Sequence, residues 1–183
     1  DIYLPFKPKR RTKAMIAREN GLEPLLRAIQ AQRAMAPDAL AQAYVGATVE
    51  TPKAALEGAR DILAEELAEN ASLLGRLRQF MKDEAVLSAK VLPGKQEAGA
   101  KFSDYFDHSE AWASIPSHRA LALLRASKEE VLAVDIAPPG DEGLARAQAI
   151  VAAAVGEMSG APLGQGPGDA WLRDVAGWTW RVK

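Results

Sequence analysis

The chain has 183 residues, and its hydrophobic content of 48% is enough for one substantial core or two small ones, which excludes disorder of the whole chain. Lys and Arg number 23 and Asp and Glu 24, so the formal net charge of −1 excludes a uniformly basic polyanion-binding surface. Cysteine is absent, which excludes disulfides, thiol nucleophiles and cysteine-ligated metal sites.

No apolar stretch approaches the roughly 18–20 residues that cross a bilayer, and no charged-then-apolar leader occupies the first residues. We therefore expect a soluble, cytoplasmic protein with no membrane partner. The first residue is Asp1 rather than Met, and the last residue, Lys183, directly follows an amphipathic segment that contains tryptophan. These two ends lead us to expect a fragment of a longer protein.

Alanine is the commonest residue, with 36 of 183 positions, while aromatic residues make up only 6%. This balance favours close helix packing over strand ladders, so we predict an all-α or mostly α fold. The expected architecture is a packed scaffold with helical hairpins and at most one or two short strands. The predicted segments are a basic arm and first helix at 1–20, a helical core at 21–130, a short strand-like segment plus helix at 131–159, a Gly/Pro-rich loop at 160–168 and a C-terminal helical segment at 169–183 that leads to further domains.

The first half of the chain predicts four helices. Apolar residues at helical spacing indicate the first at 22–29, and Asp38 is the predicted N-cap of a short helix that ends near Tyr44. Thr51 followed by proline indicates the start of a long helix to about residue 69. Asn70 is the predicted N-cap of the next helix, to about residue 82. Because both long helices carry one leucine-rich stripe, we expect them to pack as an antiparallel hairpin.

Opposite the leucines of the first long helix lies an acidic face, which we expect to be solvated. Its members are Glu57, Asp61, Glu65, Glu66 and Glu69.

The second half has weaker patterns. Residues 86–92 fit a strand or a helix, and helix is favoured. Ser117 is the predicted N-cap of another helix, the alternation at 132–136 indicates a short strand, and apolar residues three and four apart predict a helix at 144–158. The glycines and prolines of 160–168 are typical of a mobile loop or linker.

The N-terminal segment is the most strongly polarised part of the chain. Residues 1–13 hold five basic side chains and one acidic one, so this segment carries about +4 and the remainder about −5. Lysine and arginine attract phosphates regardless of sequence, and Tyr3 and Phe6 could stack on unpaired bases. A solvated arm whose apolar residues dock on the domain explains the same pattern.

Catalytic interpretations have less support. His108 and His118 are the only histidines, so without cysteine a zinc site would need scattered carboxylates. A hydrolase that uses His118 with Asp104 or Asp107 lacks a plausible nucleophile or metal. The glycines at 164–168 are not followed by Lys and Ser/Thr, which argues against a phosphate-binding loop. We expect no enzyme activity, no cofactor and no metal site.

Four separated blocks suggest a relationship. They are Ile2–Lys13 with Ile16–Glu19 and Gly21–Leu25, then Gly58–Glu65, Lys101–Asp107 and Ile115–Arg125. In this order the blocks resemble the bacterial Tex family of transcription accessory proteins, and the match covers residues 1–135. The basic block at 7–13 and the Pro-Ser-His-Arg block at 116–119 match closely, without an assigned role.

The resemblance implies a mainly helical N-terminal part of a larger protein, similar to the corresponding core of eukaryotic transcription elongation factors. It also implies that family members continue with an RNase-H-like domain that lacks evident nuclease function, a helix-hairpin-helix region and a C-terminal OB-type RNA-binding domain. We find none of these three in this sequence.

We therefore expect a non-catalytic fragment of a Tex-like protein that contributes to nucleic-acid binding, RNA above all, and to association with the transcription machinery. Its expected partners are RNA or other nucleic acid, bound weakly and without sequence preference, RNA polymerase or transcription factors, and the remaining domains of its own chain. The candidate nucleic-acid-binding residues are Lys7, Lys9, Arg10, Arg11, Lys13, Tyr3, Phe6, His118 and Arg119. The alternative is a purely structural helical scaffold that braces neighbouring domains of the same chain.

Overall fold

The structure is a computed structural model that describes residues 12–182. Its helices are α1 (Lys13–Glu19), α2 (Glu23–Ala31), α3 (Pro37–Ala41), α4 (Pro52–Ala68), α5 (Ala71–Glu84), α6 (Ser117–Lys128), α7 (Gly140–Met158) and α8 (Pro167–Val182). Its strands are β1 (Val86–Val91), β2 (Asp107–Ala111) and β3 (Leu132–Ala137), and 3-10 turns occupy Gln42–Tyr44, Ala100–Tyr105 and Trp112–Ser114. The prediction of a mostly α fold is confirmed, although the sheet has three strands where at most two were predicted.

The chain divides into two compact units. Unit 1 combines the residues up to Leu73 with those from Ile150 onward, and unit 2 is residues 74–149. The units are defined by packing, so unit 1 is made of two separate stretches of the chain. The five segments predicted from the sequence stay predictions.

Helix α4 is the central element of unit 1 and packs against α1, α2, α3 and α8. It begins as predicted, because the Thr51 hydroxyl accepts a hydrogen bond of 3.1 Å from the backbone N–H of Ala54. The fully buried side chains of this unit include Leu25, Leu26, Ile29, Ile62, Leu63, Leu67, Val155 and Leu172. Burial of these aliphatic groups is the main favourable contribution to folding.

The predicted hairpin of the two long helices is wrong as a packing unit. All of α4 belongs to unit 1, whereas residues 74–84 of α5 belong to unit 2. The predicted start of α5 is confirmed, because the Asn70 side-chain oxygen accepts a hydrogen bond of 3.0 Å from the N–H of Leu73. Two other predicted N-caps are wrong, since Ala36 and Pro116 hold those positions and Asp38 and Ser117 lie inside their helices.

The Gly/Pro-rich loop lies between α7 and α8, which begins at Pro167. Arg33 contacts this loop from the turn after α2 and donates hydrogen bonds to the carbonyl oxygens of Ala161 and Pro162, both at 3.1 Å. Its guanidinium also pairs with the buried Asp169 carboxylate at 3.0 Å, while its own carbonyl accepts the N–H of Gly168 at 2.9 Å. The loop is therefore tied to the turn at several points.

The surroundings of Asp169 determine its charge state. Burial alone would raise the pKa of this carboxyl, but hydrogen bonds from the backbone of Gly164 and Gly166 and the charge of Arg33 outweigh burial, so the pKa of Asp169 is lowered. The ionised carboxylate is thus the form that stabilises the native state.

Unit 2 contains an antiparallel sheet in the order β2-β1-β3. The prediction of a strand near 132–136 is confirmed, and the preference for helix at 86–92 is wrong. Leu87 and Ala89 of β1 point to the core, where they pack with Leu123 and Ala126 of α6 and with Phe102. One face of β1 is therefore fixed by packing against α6, as expected for a strand that buries alternate residues.

Candidate functional site

Most of the predicted binding residues fall on the N-terminal segment. Six of them lie outside the described residues: Tyr3, Phe6, Lys7, Lys9, Arg10 and Arg11. Lys13 is exposed at the first position of α1 in unit 1, whereas His118 and Arg119 lie in the first turn of α6 in unit 2. The predicted set is thus divided between the two units.

Helix α1, which directly follows the N-terminal segment, is anchored on α4. The Thr12 hydroxyl accepts the N–H of Met15 at 3.1 Å and donates to the Glu65 carboxylate at 2.8 Å. Arg18 donates to the other oxygen of Glu65 at 2.6 Å, and this hydrogen bond raises the pKa of Arg18. The point at which the basic segment joins the folded chain is therefore fixed by charged contacts.

The acidic face of α4 is only partly solvated, so the prediction for it needs correction. Arg27 of α2 pairs with Glu66 and also with Glu23 at 3.2 Å, and the hydrogen bond that Arg27 donates to Glu66 is the main reason that the pKa of Arg27 is raised. Glu65 and Glu66 serve as the partners of Arg18 and Arg27. Their negative charge is compensated within unit 1, which weakens its repulsion of a polyanion nearby.

Arg119 does not lie free in solvent. Its guanidinium contacts the Glu110 carboxylate of β2 at 2.5 Å, and His108 lies 3.2 Å from the other Glu110 oxygen. The hydrogen bond from Arg119 and then that from His108 lower the pKa of Glu110. This cluster ties the start of α6 to the sheet, and a role of Arg119 in nucleic-acid binding stays a prediction.

His118 lies on the exposed side of α6. The same side carries Leu121, which is 68% exposed, and the exposed Leu124 and Arg125. Within residues 12–182, no group of three or more His, Asp or Glu side chains could hold a metal ion. In that same range, no helix is long and apolar enough to cross a membrane.

A groove of about 470 Å³ runs between α1, the loop at 47–51 and the first half of α4. Its floor is apolar, with the buried residues Ala17, Leu22, Val49 and Gly58. Gly58 permits this close packing, since a Cβ atom there would lie 3.3 Å from the Cβ of Ala17 and would also meet Leu22. The charged residues that line the groove are Lys13, Glu50, Glu57 and Asp61.

Comparison with known proteins identifies the family. A family model described as Tex central region-like matches residues 32–183. The chain belongs to the Tex family. The match includes α3 to α8 and all three strands, so the small sheet of unit 2 is part of what this Tex family chain shares with the family model.

Curated relatives cover the whole of this Tex family chain. It is 45% identical over 192 residues to protein tex of Bordetella pertussis and 43% identical over 183 residues to the transcriptional accessory protein Tex of Neisseria gonorrhoeae. It is also 42% identical over 185 residues to protein YhgF of Escherichia coli. The chain spans 24% of the length of each of these relatives.

Sequence reasoning missed the groove of this Tex chain. Glu57 and Asp61 were assigned to a solvated helix face, residues 47–50 carried no motif, and Thr51 was interpreted only as a helix N-cap. A long-range contact brings the loop and α1 to the same side of α4, and no local pattern reports such a contact. The small residues Ala17, Ala54 and Gly58 were the available signal, because small side chains on two helices permit close approach.

Proposed function

We propose that this chain is a non-catalytic part of a Tex-like transcription accessory protein that acts in the cytoplasm and contributes to RNA binding through its N-terminal basic segment. The observation that carries the proposal is the charge of residues 1–13, with five basic side chains and one acidic one. The name of the Neisseria gonorrhoeae relative supports a role in transcription. RNA polymerase or transcription factors are the proposed protein partners.

The described residues next to this segment support the proposal. Thr12 and Arg18 fix α1 to α4, so the basic segment is attached to a folded unit rather than to a long linker. Arg18 also compensates the charge of Glu65, which reduces the repulsion that a phosphate backbone would meet near Lys13. Lysine and arginine side chains contact backbone phosphates, and such contacts do not distinguish one base from another. We therefore expect weak binding without sequence preference.

We also propose that the chain has no hydrolase activity. His108 and Arg119 are both engaged with Glu110, and among residues 12–182 no cluster of potential metal ligands stands beside His118. Catalysis needs a nucleophile and a base within hydrogen-bonding distance, or a metal that activates water. An assay for RNA cleavage with and without Mg²⁺ or Mn²⁺ tests this, and cleavage that the His118→Ala change abolishes would contradict it.

Fluorescence anisotropy with a labelled single-stranded RNA tests the binding proposal. We expect a Kd of about 10⁻⁶ M or weaker and a slope of log K against log salt of about −1.4 to −2.8, since each neutralised phosphate contributes about −0.7 and we expect about two to four phosphate contacts. The Lys9→Ala, Arg10→Ala, Arg11→Ala triple variant should lose most of the affinity and most of the slope.

The matched control is a second triple variant with the same change of charge, Lys53→Ala, Lys82→Ala and Lys95→Ala, at exposed positions outside residues 1–13. It should retain most of the RNA affinity, because a general charge effect falls off within the Debye length of about 10 Å at 0.1 M salt. Equal losses in the two triple variants would contradict a specific role of the N-terminal segment.

A structural brace is the second candidate, and the Thr12 contact with Glu65 is the observation that favours it. In that case the basic segment holds neighbouring parts of the longer protein and RNA is not its partner. Urea unfolding separates the two functions. A brace predicts that the Lys9, Arg10, Arg11 triple variant unfolds at lower urea while any RNA binding is unchanged, whereas the RNA-binding proposal predicts unchanged stability and lost binding.

A further inference from the structure

We propose that the groove between α1 and α4 binds residues 2–11 of the same chain, and that RNA and the groove compete for this segment. Binding of the segment in the groove is argued from the groove alone. Only the competition with RNA rests on the proposed function. Residues 2–11 lie outside the described residues, so the argument uses their sequence and the geometry of the groove.

The groove has the chemistry of a site for a peptide that is both apolar and basic. Ile16 is 42% exposed at its edge and the lining residues Ala47 and Ala54 are exposed, whereas Ala17, Leu22 and Val49 beneath them are buried. Among residues 12–182, the lining holds three acidic groups, Glu50, Glu57 and Asp61, and one basic group, Lys13, which gives these residues a net charge of −2. Asp61 lies 3.5 Å from Arg60, while Glu50 and Glu57 make no ion pair with residues 12–182.

The N-terminal segment complements this lining in order as well as in composition. Ile2, Tyr3, Leu4 and Phe6 come first, followed by Lys7, Lys9, Arg10 and Arg11. In the sequence the basic part directly precedes Thr12, so in the proposed arrangement it would meet Asp61 and Glu57 of α4 first. The apolar part would then extend along the groove toward Ala54 and Ala47. Opposite charges and apolar contacts would thus act on the same peptide.

Two contacts show that the segment can reach the groove. Thr12 contacts Glu65 near the end of α4, and Ala17 lies against Gly58 one to two turns earlier, so α1 runs antiparallel to α4. From Asp61 back to Ala54 the helix rises about 10 Å. Ten extended residues span about 33 Å, so the segment can turn at Thr12 and follow the groove along its whole length.

Covalent attachment makes this binding efficient. A short tether holds the segment at a millimolar effective concentration, so even weak contacts keep the groove occupied for much of the time. A segment in the groove cannot offer its lysines and arginines to RNA. If the groove holds it about three quarters of the time, release raises the apparent RNA affinity about fourfold.

Because the chain has no cysteine, two introduced thiols can report the docked segment. The test pair is Pro5→Cys with Ala47→Cys, which lies in the groove lining. The control pair is Pro5→Cys with Ala170→Cys, an exposed position in the first turn of α8. We expect the disulfide of the test pair to form at least about tenfold faster, since a thiol pair must approach to a Cβ separation of about 4 Å.

Removing the acidic lining should release the segment. In the test-pair background, Glu50→Gln with Glu57→Gln should slow disulfide formation, and in the cysteine-free chain the same changes should raise RNA affinity about fourfold. Glu69→Gln with Asp174→Asn removes the same charge outside the groove and is the matched control. Single-stranded RNA added to the test pair should also slow disulfide formation.

The outcomes test binding of the segment in the groove separately from its binding to RNA. Equal disulfide rates in the test and control pairs would overturn the groove proposal, whatever the RNA affinity. Fast disulfide formation in the test pair that the acidic changes slow, with no effect of RNA, would support the groove and overturn the competition. RNA binding is then decided separately, by the anisotropy measurement.

Discussion

The close approach of α8 to the turn after α2 allows a direct test of the packing in unit 1. Gly168 donates its N–H to the Arg33 carbonyl at 2.9 Å. A Cβ atom at Gly168 would lie 2.7 Å from the Arg33 Cα and 3.0 Å from the Arg33 carbonyl oxygen. Because both neighbours are backbone atoms, no side chain can rotate away, and the Gly168→Ala change forces the two segments apart.

The expected cost follows from opposing contributions. Relieving the overlap strains the packing by about 1–3 kcal/mol, and lengthening the hydrogen bond to Arg33 costs about 1 kcal/mol more. The higher helix propensity of alanine offsets at most about 1 kcal/mol of this cost, and less in the first turn of a helix. We therefore expect Gly168→Ala to lower the free energy of unfolding by about 1–3 kcal/mol.

The same helix supplies the control. A Cβ atom at Gly177 would meet only the Arg181 side chain at 3.8 Å, which is an ordinary contact. Gly177→Ala should therefore raise the free energy of unfolding by about 0.5–1 kcal/mol through helix propensity alone. Urea unfolding followed by tryptophan fluorescence suits both variants, because Trp171, Trp178 and Trp180 all lie in α8. If Gly168→Ala were as stabilising as Gly177→Ala, the contact with Arg33 would not exist in solution.

Helix starts in unit 1 were predictable where a short polar side chain satisfies free N–H groups. Thr51 and Asn70 both do so, and their helices begin where the sequence indicates. The same rule failed at Asp38 and Ser117, because each directly follows a proline that moves the start of the helix toward the N-terminus. Pro37 takes the first helical position, and Pro116 takes the N-cap itself.

The sheet of unit 2 was the hardest part of the fold to predict. Val86 to Val91 alternate weakly, and the strand is fixed by pairing with β2 and β3, which lie about 20 and 45 residues away. Register with distant strands leaves no local signal. The prediction of helix there followed the helical surroundings, and tertiary pairing overrode it.

The candidate site shows the same limit. Charge counting found the basic segment, because the excess of lysine and arginine is visible in thirteen residues. It could not find the pairing of Arg119 with Glu110 or of Arg18 with Glu65, which join residues 9 and 47 positions apart. Opposite charges in a balanced chain have many possible partners, and only the packing of α1 and α6 selects among them.

Two further predictions concern burial and pH. Leu63→Ala should lower the free energy of unfolding by about 2–5 kcal/mol, because Leu63 is fully buried, while Leu77→Ala should cost less because Leu77 is only half-buried. The lowered pKa of Asp169 contributes stability that is complete above its unfolded pKa of about 3.9 and is lost as pH falls through the native pKa. The stability difference between the wild type and Asp169→Asn, measured by urea unfolding, should therefore be constant from pH 7 to about pH 5 and shrink below about pH 4, with Asp174→Asn as the control. A difference that grows on acidification would mean that burial, and not Arg33 and the glycine N–H groups, sets the charge of Asp169.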